Sequence, residues 1–64
     1  GDRLANIHIF NKDVLIIDRS LSPKDNQLVL VIEEDEFKVK RVSTKNRKSL
    51  LIWGVVTYVI HAAQ

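Results

Sequence analysis

Apolar and charged residues alternate along the segment Glu36-Phe37-Lys38-Val39-Lys40-Arg41-Val42. Because successive side chains of a β-strand point to opposite faces, this pattern predicts a strand with one apolar and one charged face. Lys38 and Lys40 lie two positions apart and therefore share a face. An apolar run, Leu28 to Ile32, precedes this segment, and the short polar stretch Glu33 to Asp35 connects the two. The sequence therefore predicts a β-hairpin.

Two further apolar segments flank the hairpin. Val14 to Ile17 has the length and composition of a buried strand. Leu50 to Ala63 is the longest apolar stretch, and Gly54 within it predicts a bulge or bend. This stretch is shorter than the roughly 20 residues that a membrane span needs, so we expect a strand and no membrane association. The segments around Pro23 and from Ser43 to Ser49 are polar and predict loops. The expected fold class is all-β.

Length and composition limit the other possibilities. The chain of 64 residues fits one small domain, taken as 1–64, whose core is marginal alone, so we expect a partner. It has no cysteine, and its two histidines, His8 and His61, are far apart, so we expect no disulfide, metal or cofactor. No signal peptide follows Gly1, which indicates a processed product or fragment of an intracellular, cytoplasmic protein.

The charge is distributed unevenly along the chain. The net charge of +2 is mild and does not by itself demand nucleic acid. An acidic run, Glu33 to Glu36, is followed by a basic group: Lys38, Lys40, Arg41, Lys45, Arg47 and Lys48. The simplest interpretation is a solvated hairpin tip and a basic loop. The alternative is a small nucleic-acid-binding β module whose binding falls steeply with salt, and the adjacent acidic run weighs against it.

Four segments match the motifs of one protein family in the same order. Gly1-Asp2-Arg3-Leu4 lies where that family has a Gly-Asp-Ser-Met turn, and Lys12 to Asp18 is similar to its Gly-Asp-Leu-Leu-Ile-Val-Asp strand. Glu36 to Arg41 is similar to Glu-Phe-Thr-Val-Lys-Lys, and Trp53 to Val56 is similar to Phe-Gly-Val-Val. The chain thus resembles the C-terminal domain of the LexA/UmuD family of self-cleaving serine peptidases, and its UmuD-type members above all. The resemblance implies a small, strongly bent, mostly β sheet that is incomplete here.

The family's chemistry is a Ser-Lys dyad, in which a neutral lysine takes the proton of the serine that attacks a peptide carbonyl. By resemblance, Lys40 occupies the general-base position and Arg3 stands at the nucleophile position. A lysine that titrates near its ordinary value of about 10.4 must be desolvated to serve as a base, and Phe37, Val39 and Val42 are the local apolar candidates. Because Arg3 cannot attack a carbonyl, we expect no peptidase activity from the sequence as written.

A second departure from the family concerns length. Only Ser43 to Ile52 joins the lysine strand to the final strand, whereas the family has a longer segment with a Pro-Asn-Tyr-Pro stretch. If residues are missing here and near Arg3, the alternative is a self-cleaving Ser-Lys peptidase whose serine is absent from this sequence. The serines that are present lie in polar loops and are expected to form turns: Ser20, Ser22, Ser43 and Ser49. We expect no catalytic partner for His8 or His61.

The resemblance also implies a function in the bacterial SOS response to DNA damage. Cleaved UmuD-type members form homodimers that serve as the accessory subunit of the translesion DNA polymerase V. The implied partners are a second copy, the catalytic polymerase subunit and the RecA filament, with DNA contacted only indirectly. The apolar run Val55 to Ala62 is the candidate interface, and an exposed strand edge suits pairing with another copy. Trp53 and Tyr58 are expected in the core or the interface rather than stacked on bases.

Overall fold

The computed structural model describes residues 11–63, and these form one antiparallel sheet. Its four strands are β1 (Val14–Asp18), β2 (Leu28–Glu33), β3 (Glu36–Arg41) and β4 (Ile52–Ile60), in the order β1-β4-β2-β3. A single turn of 3₁₀ helix, Arg47–Ser49, precedes β4. The predicted all-β class is confirmed, and each predicted apolar segment contains a strand. No helix among residues 11–63 is long and apolar enough to cross a membrane.

The β2–β3 hairpin turns over two residues. Glu34 and Asp35 both have positive φ, 53° and 63°, while Glu33 and Glu36 already pair as strand residues. Two central residues in the left-handed region make a type I′ turn, whose twist matches that of the flanking strands. The predicted hairpin is confirmed, and its connection is one residue shorter than predicted because Glu33 belongs to β2.

Strand β4 carries the predicted irregularity at Gly54. In its pairing with β2, Leu30 lies opposite Gly54 and Val31 lies opposite Ile52, so Trp53 is an extra residue on β4. Gly54 has no positive φ, so its backbone conformation does not require glycine. The close approach of Ile17 does require glycine, because a Cβ at this position would lie less than 3.0 Å from Cγ2 of Ile17. The bulge prediction is confirmed.

A second irregularity lies where β4 pairs with β1. Ile16 is opposite Tyr58 and Ile17 is opposite Val56, which leaves Thr57 as the extra residue. The Thr57 hydroxyl donates a hydrogen bond to the carbonyl oxygen of Ile16, at 3.1 Å, and so holds the strands together where the ladder shifts. Bulges strengthen the local twist of a strand, so β4 twists at two points along its length.

The core is built from four valines: Val29, Val31, Val42 and Val55, each at most 1% exposed. Leu50 and Ile52 pack against them. Directly opposed residues share a face of a sheet, and Val29 is opposite both Lys40 and Val55. The core therefore lies on the same face as the two lysines of β3.

Strand β1 is less buried than predicted. Val14 is 53% and Ile16 is 42% exposed, and none of its residues is buried. The prediction of a buried strand was wrong because β1 lies at the edge of the sheet and pairs only with β4. A short apolar run indicates a strand but does not give its place in the sheet.

Candidate functional site

Lys40, the predicted general-base position, lies near the end of β3, which forms one edge of the sheet. Its side chain is 28% exposed, and Nζ lies 3.0 Å from Oε2 of Glu33. The residue is thus held in a partly buried ion pair. It is neither a freely solvated surface lysine nor one enclosed by apolar groups.

Lys38 binds the other oxygen of the same carboxylate. Its Nζ lies 3.1 Å from Oε1 of Glu33 and donates a hydrogen bond to it. Hydrogen bonds from Lys40 first, and then from Lys38, hold the pKa of Glu33 below its ordinary value, against the smaller opposing effect of desolvation. The Glu33 carboxylate in turn raises the pKa of Lys38. We call Glu33, Lys38 and Lys40 the charge triad.

The turn explains why the charge triad forms. Because Glu34 and Asp35 alone make the turn, Glu33 pairs with Glu36 and lies on the face that carries Lys38 and Lys40. Sequence reasoning assigned Glu33 to the turn and missed its contact with the lysines. The turn length decides this, because a two-residue connection fixes the register of a hairpin and hence the face of each residue.

The apolar residues proposed to desolvate Lys40 lie mostly elsewhere. Phe37 is opposite Ile32, and Val39 is opposite Leu30, so both point to the face away from Lys40. Phe37 is 59% exposed, and of the three proposed residues only Val42 is both buried and on the lysine face. The apolar residue that lies directly opposite Lys40 is instead Val29, which is fully buried.

The nucleophile position lies outside the described residues, as do the whole Gly1-Asp2-Arg3-Leu4 segment and His8. The relation between Arg3 and Lys40 therefore stays a prediction. Three of the loop serines form local turns as expected. The Ser20 hydroxyl donates to Asp18 at 2.6 Å, the Ser49 hydroxyl donates to the carbonyl of Asn46 at 2.8 Å, and the Ser43 hydroxyl accepts from the N–H of Asn46 at 3.2 Å.

Part of the basic group predicted for nucleic-acid binding makes contacts within the chain. Besides the two lysines of the charge triad, Arg41 donates to the carbonyl oxygen of Asn26, and Arg47 lies 3.6 Å from the carboxylate of Asp25. A nucleic-acid site needs cations that are available to phosphates. These contacts weigh against the nucleic-acid-binding module.

Trp53 is half-buried and packs against two neighbouring side chains. Arg19 places its guanidinium 4.0 Å from the centre of the indole ring, and its Nε donates to the Trp53 carbonyl oxygen at 2.9 Å. Phe37 packs edge-on against the indole, with 5.6 Å between ring centres. These contacts favour packing over base stacking. Trp53 lies outside the valine core, so its predicted place in an interface stays a prediction.

His61 has an acidic partner that the sequence did not reveal. Its Nδ1 lies 2.7 Å from Oδ2 of Asp13, and the other carboxylate oxygen accepts a hydrogen bond from the N–H of Ala62. Asp13 is 48 residues away in sequence, so local patterns could not indicate this contact, and the expectation that His61 has no catalytic partner stays a prediction. Across the described part of the chain, no group of three or more His, Asp or Glu side chains is arranged to hold a metal ion.

An exposed apolar surface covers the far end of the β1–β4 pair. Val14 is opposite Ile60, and Ile16 is opposite Tyr58. All four are exposed, at 53%, 52%, 42% and 70% respectively. We call these four residues the β1–β4 patch. The predicted interface Val55 to Ala62 overlaps it, although Val55 itself is fully buried and was wrongly included.

Comparison with known proteins finds relatives over nearly the whole chain. Protein SamA of Salmonella typhimurium is 29% identical over 76 residues, which cover 95% of this chain and 54% of SamA. Protein ImpA of Escherichia coli is 30% identical over 78 residues, with the same coverage of each chain. Protein MucA of Escherichia coli is 30% identical over 77 residues, which cover 91% of this chain and 53% of MucA.

The chain spans about half the length of these curated relatives. A matched stretch of 76 residues also exceeds the 64 residues of this chain, so the relatives carry residues that have no counterpart here. This agrees with the departure in length noted from the sequence. No protein-family model and no solved structure matches the chain.

Proposed function

Because this chain is a UmuD-like member of the LexA/UmuD family, we propose that it is the processed, dimeric accessory subunit of a translesion DNA polymerase in the SOS response. It acts by assembly and not by peptide cleavage. Its proposed partners are a second copy, the catalytic subunit of polymerase V and the RecA filament, and it contacts DNA only indirectly. We propose a cytoplasmic location.

The observation that supports assembly with a second copy is the exposed β1–β4 patch. Four large apolar side chains lie next to one another on two paired strands and are each more than two-fifths exposed. Contiguous apolar surface of this kind is typical of interaction sites in small proteins. A second copy suits it because a core of four valines is small for a domain that must be stable alone.

The case against cleavage rests on two residues. Arg3 has no hydroxyl and cannot act as a nucleophile, so the dyad is incomplete in this sequence. Lys40 places its Nζ 3.0 Å from the Glu33 carboxylate, whereas the general base of a dyad must contact the serine hydroxyl. Both features favour a protein that retains the family's fold without its reaction.

Sedimentation equilibrium tests the dimer. The chain is expected to dimerise at micromolar concentration, and Tyr58→Glu is expected to weaken dimerisation at least about tenfold, because it buries a charge in the patch. Leu51→Glu is the matched control, since Leu51 is 65% exposed and lies outside the patch. A monomeric wild-type chain, or equal weakening by both variants, would contradict the proposal.

The alternative function is a self-cleaving peptidase whose serine is absent from this sequence. One observation favours it, namely that the relatives carry residues with no counterpart here. Sequencing the source DNA around Arg3 and between Val42 and Trp53 decides between the two. A Ser codon at the nucleophile position would replace the proposal with this alternative, and a confirmed Arg3 would remove the alternative.

A further inference from the structure

Three cationic side chains surround one pocket at the start of the β2–β3 hairpin. The pocket has a volume of about 550 Å³, and we call it the basic pocket. Its lining residues are Pro23, Lys24, Asp25, Thr44, Arg47 and Lys48. Within residues 11–63, neither Lys24 nor Lys48 makes an ion pair. Three cations and one carboxylate therefore leave the basic pocket with an excess of positive charge.

The carboxylate in the basic pocket holds Arg47 only weakly. Oδ1 of Asp25 lies 3.6 Å from Nη2 of Arg47, which is longer than a hydrogen bond. Both side chains are about half exposed, at 53% for Asp25 and 44% for Arg47. Exposed ion pairs of this kind contribute little to stability, and a guanidinium has further N–H donors. Arg47 can therefore bind a second carboxylate that enters the pocket.

Hydrogen bonds hold both walls of the basic pocket in place. On one wall, the Lys24 N–H donates to Oε1 of Gln27 at 2.7 Å. On the other wall, the Arg47 N–H donates to the carbonyl oxygen of Ser43 at 3.1 Å. The Val42 N–H joins the two walls, because it donates to the carbonyl oxygen of Gln27 at 2.9 Å. A site that is held in place before binding loses less conformational freedom when it is occupied.

The other end of the same hairpin carries the opposite charge. Glu34, Asp35 and Glu36 are exposed, and none of them makes an ion pair in the part of the chain that the structure describes. We call these three residues the tip carboxylates. Glu33 differs from them, because the two lysines of the charge triad bind it. The tip carboxylates therefore present to solvent a negative charge that is complementary to the basic pocket.

The tip carboxylates cannot reach the basic pocket of their own chain. Leu28 is opposite Arg41 at the pocket end of the hairpin, and Glu33 is opposite Glu36 at the tip. The paired positions between these ends span roughly 17 Å, at about 3.4 Å per residue. Only the basic pocket of another copy can therefore meet the tip carboxylates.

We propose that the basic pocket binds the tip carboxylates of a second copy of this chain. Because the tip and the pocket are different surfaces, the contact is heterologous and joins copies head to tail. Such a contact builds rings or open chains, and it weakens with salt because its charges are exposed. It shares no residue with the β1–β4 patch, so it goes beyond the proposed dimer and does not depend on it.

An NMR titration of two complementary variants tests the contact. The ¹⁵N-labelled chain carries Glu34→Asn and Asp35→Gly, which remove two tip carboxylates but favour the same type of turn and leave the pocket intact. The unlabelled chain carries Lys24→Gln and Lys48→Gln, which leave the tip intact but remove two pocket cations. Both chains also carry Tyr58→Glu, so that the β1–β4 patch does not contribute. Neither chain alone can make the proposed contact, but a mixture can.

Saturable shifts are expected at the amides of both pocket walls, residues 23–25 and 44–48, when the unlabelled chain is added. Raising the salt from about 50 mM to about 500 mM is expected to weaken binding at least about threefold, because salt screens exposed charges. Giving the unlabelled chain the Asn-Gly turn as well is expected to remove the shifts. Asp18→Asn in the unlabelled chain is the control, since it removes a carboxylate away from the tip, and it should change the affinity less than about 1.5-fold.

Three results would overturn the proposal. The first is the absence of shifts at the pocket walls at millimolar concentration, and the second is equal shifts with the acidic turn and with the Asn-Gly turn. The third is a single-stranded oligonucleotide that shifts these amides when the tip does not, which would assign the pocket to nucleic acid. Each of these leaves the dimer untouched, because Tyr58→Glu is present in both chains. Sedimentation of the wild type at high salt, where the pocket contact is screened, tests the dimer alone.

Discussion

Replacing Gly54 with alanine tests the packing of the central strand. The new Cβ would lie less than 3.0 Å from Cγ2 of Ile17 and 3.3 Å from Cγ of Arg19. Real Cβ atoms essentially never make the first of these contacts, so either Ile17 or the strand must move. Because β4 pairs with both β1 and β2, a shift at Gly54 reaches two ladders.

The expected cost follows from two opposing effects. Overpacking of this kind destabilises a protein by about 1–3 kcal/mol. Alanine also restricts the unfolded chain more than glycine does, and this effect stabilises the folded state by about 0.4–1 kcal/mol. We therefore expect Gly54→Ala to lower the free energy of unfolding by about 1–2 kcal/mol, a large share of the stability of so small a domain.

Urea unfolding of a double-mutant cycle measures the contact itself. In the background Ile17→Ala, which removes Cγ2, Gly54→Ala is expected to cost less than about 0.5 kcal/mol. Leu15→Ala is the matched control, because Leu15 lies on the same strand but opposite Val59, away from Gly54. Equal costs of Gly54→Ala in all three backgrounds, or no cost in the wild type, would refute the close-approach argument.

Three further predictions concern stability to urea. Val29→Ala is expected to cost about 2 kcal/mol, because it removes fully buried methyl groups, whereas Leu51→Ala at an exposed site costs less than about 0.5 kcal/mol. Replacing Glu34-Asp35 with Asn-Gly is expected to add about 1 kcal/mol, since both residues have positive φ. Folding lowers the pKa of Glu33, so the stabilisation that its carboxylate provides is complete above the ordinary pKa of 4.5 and is lost as the pH falls through the lowered pKa of the folded state. In Glu33→Gln, the free energy of unfolding should therefore depend less on pH in this acidic range.

The sequence predicted the strands because each is marked by a local pattern. Alternation identifies β3, a β-branched run identifies β2, and glycine within an apolar stretch identifies the bulge of β4. What it did not predict depends on contacts that are distant in sequence. The partner of His61 is Asp13, 48 residues away, and the exposure of β1 follows from its place at the sheet edge.

Glu33 is an intermediate case. Its distance from Lys38 and Lys40 in sequence is only five and seven residues, and alternation alone cannot decide its face until the turn length is known. A three-residue turn, as predicted, leaves Glu33 outside the strands, whereas the two-residue turn of the structure pairs it with Glu36. A difference of one residue in the length of the turn therefore decides whether Glu33 is part of a solvated acidic tip or binds both lysines.

The two edges of the sheet differ in a way that bears on assembly. The β3 edge carries Lys38, Lys40 and Arg41, and charged side chains on an edge strand oppose pairing with another chain. The β1 edge has no lysine or arginine between Val14 and Asp18, and its exposed Val14 and Ile16 continue the apolar surface of β4. A second copy is therefore expected at the β1–β4 end. In that arrangement the charged side chains of the β3 edge, the charge triad included, keep that edge unsuited to the same contact.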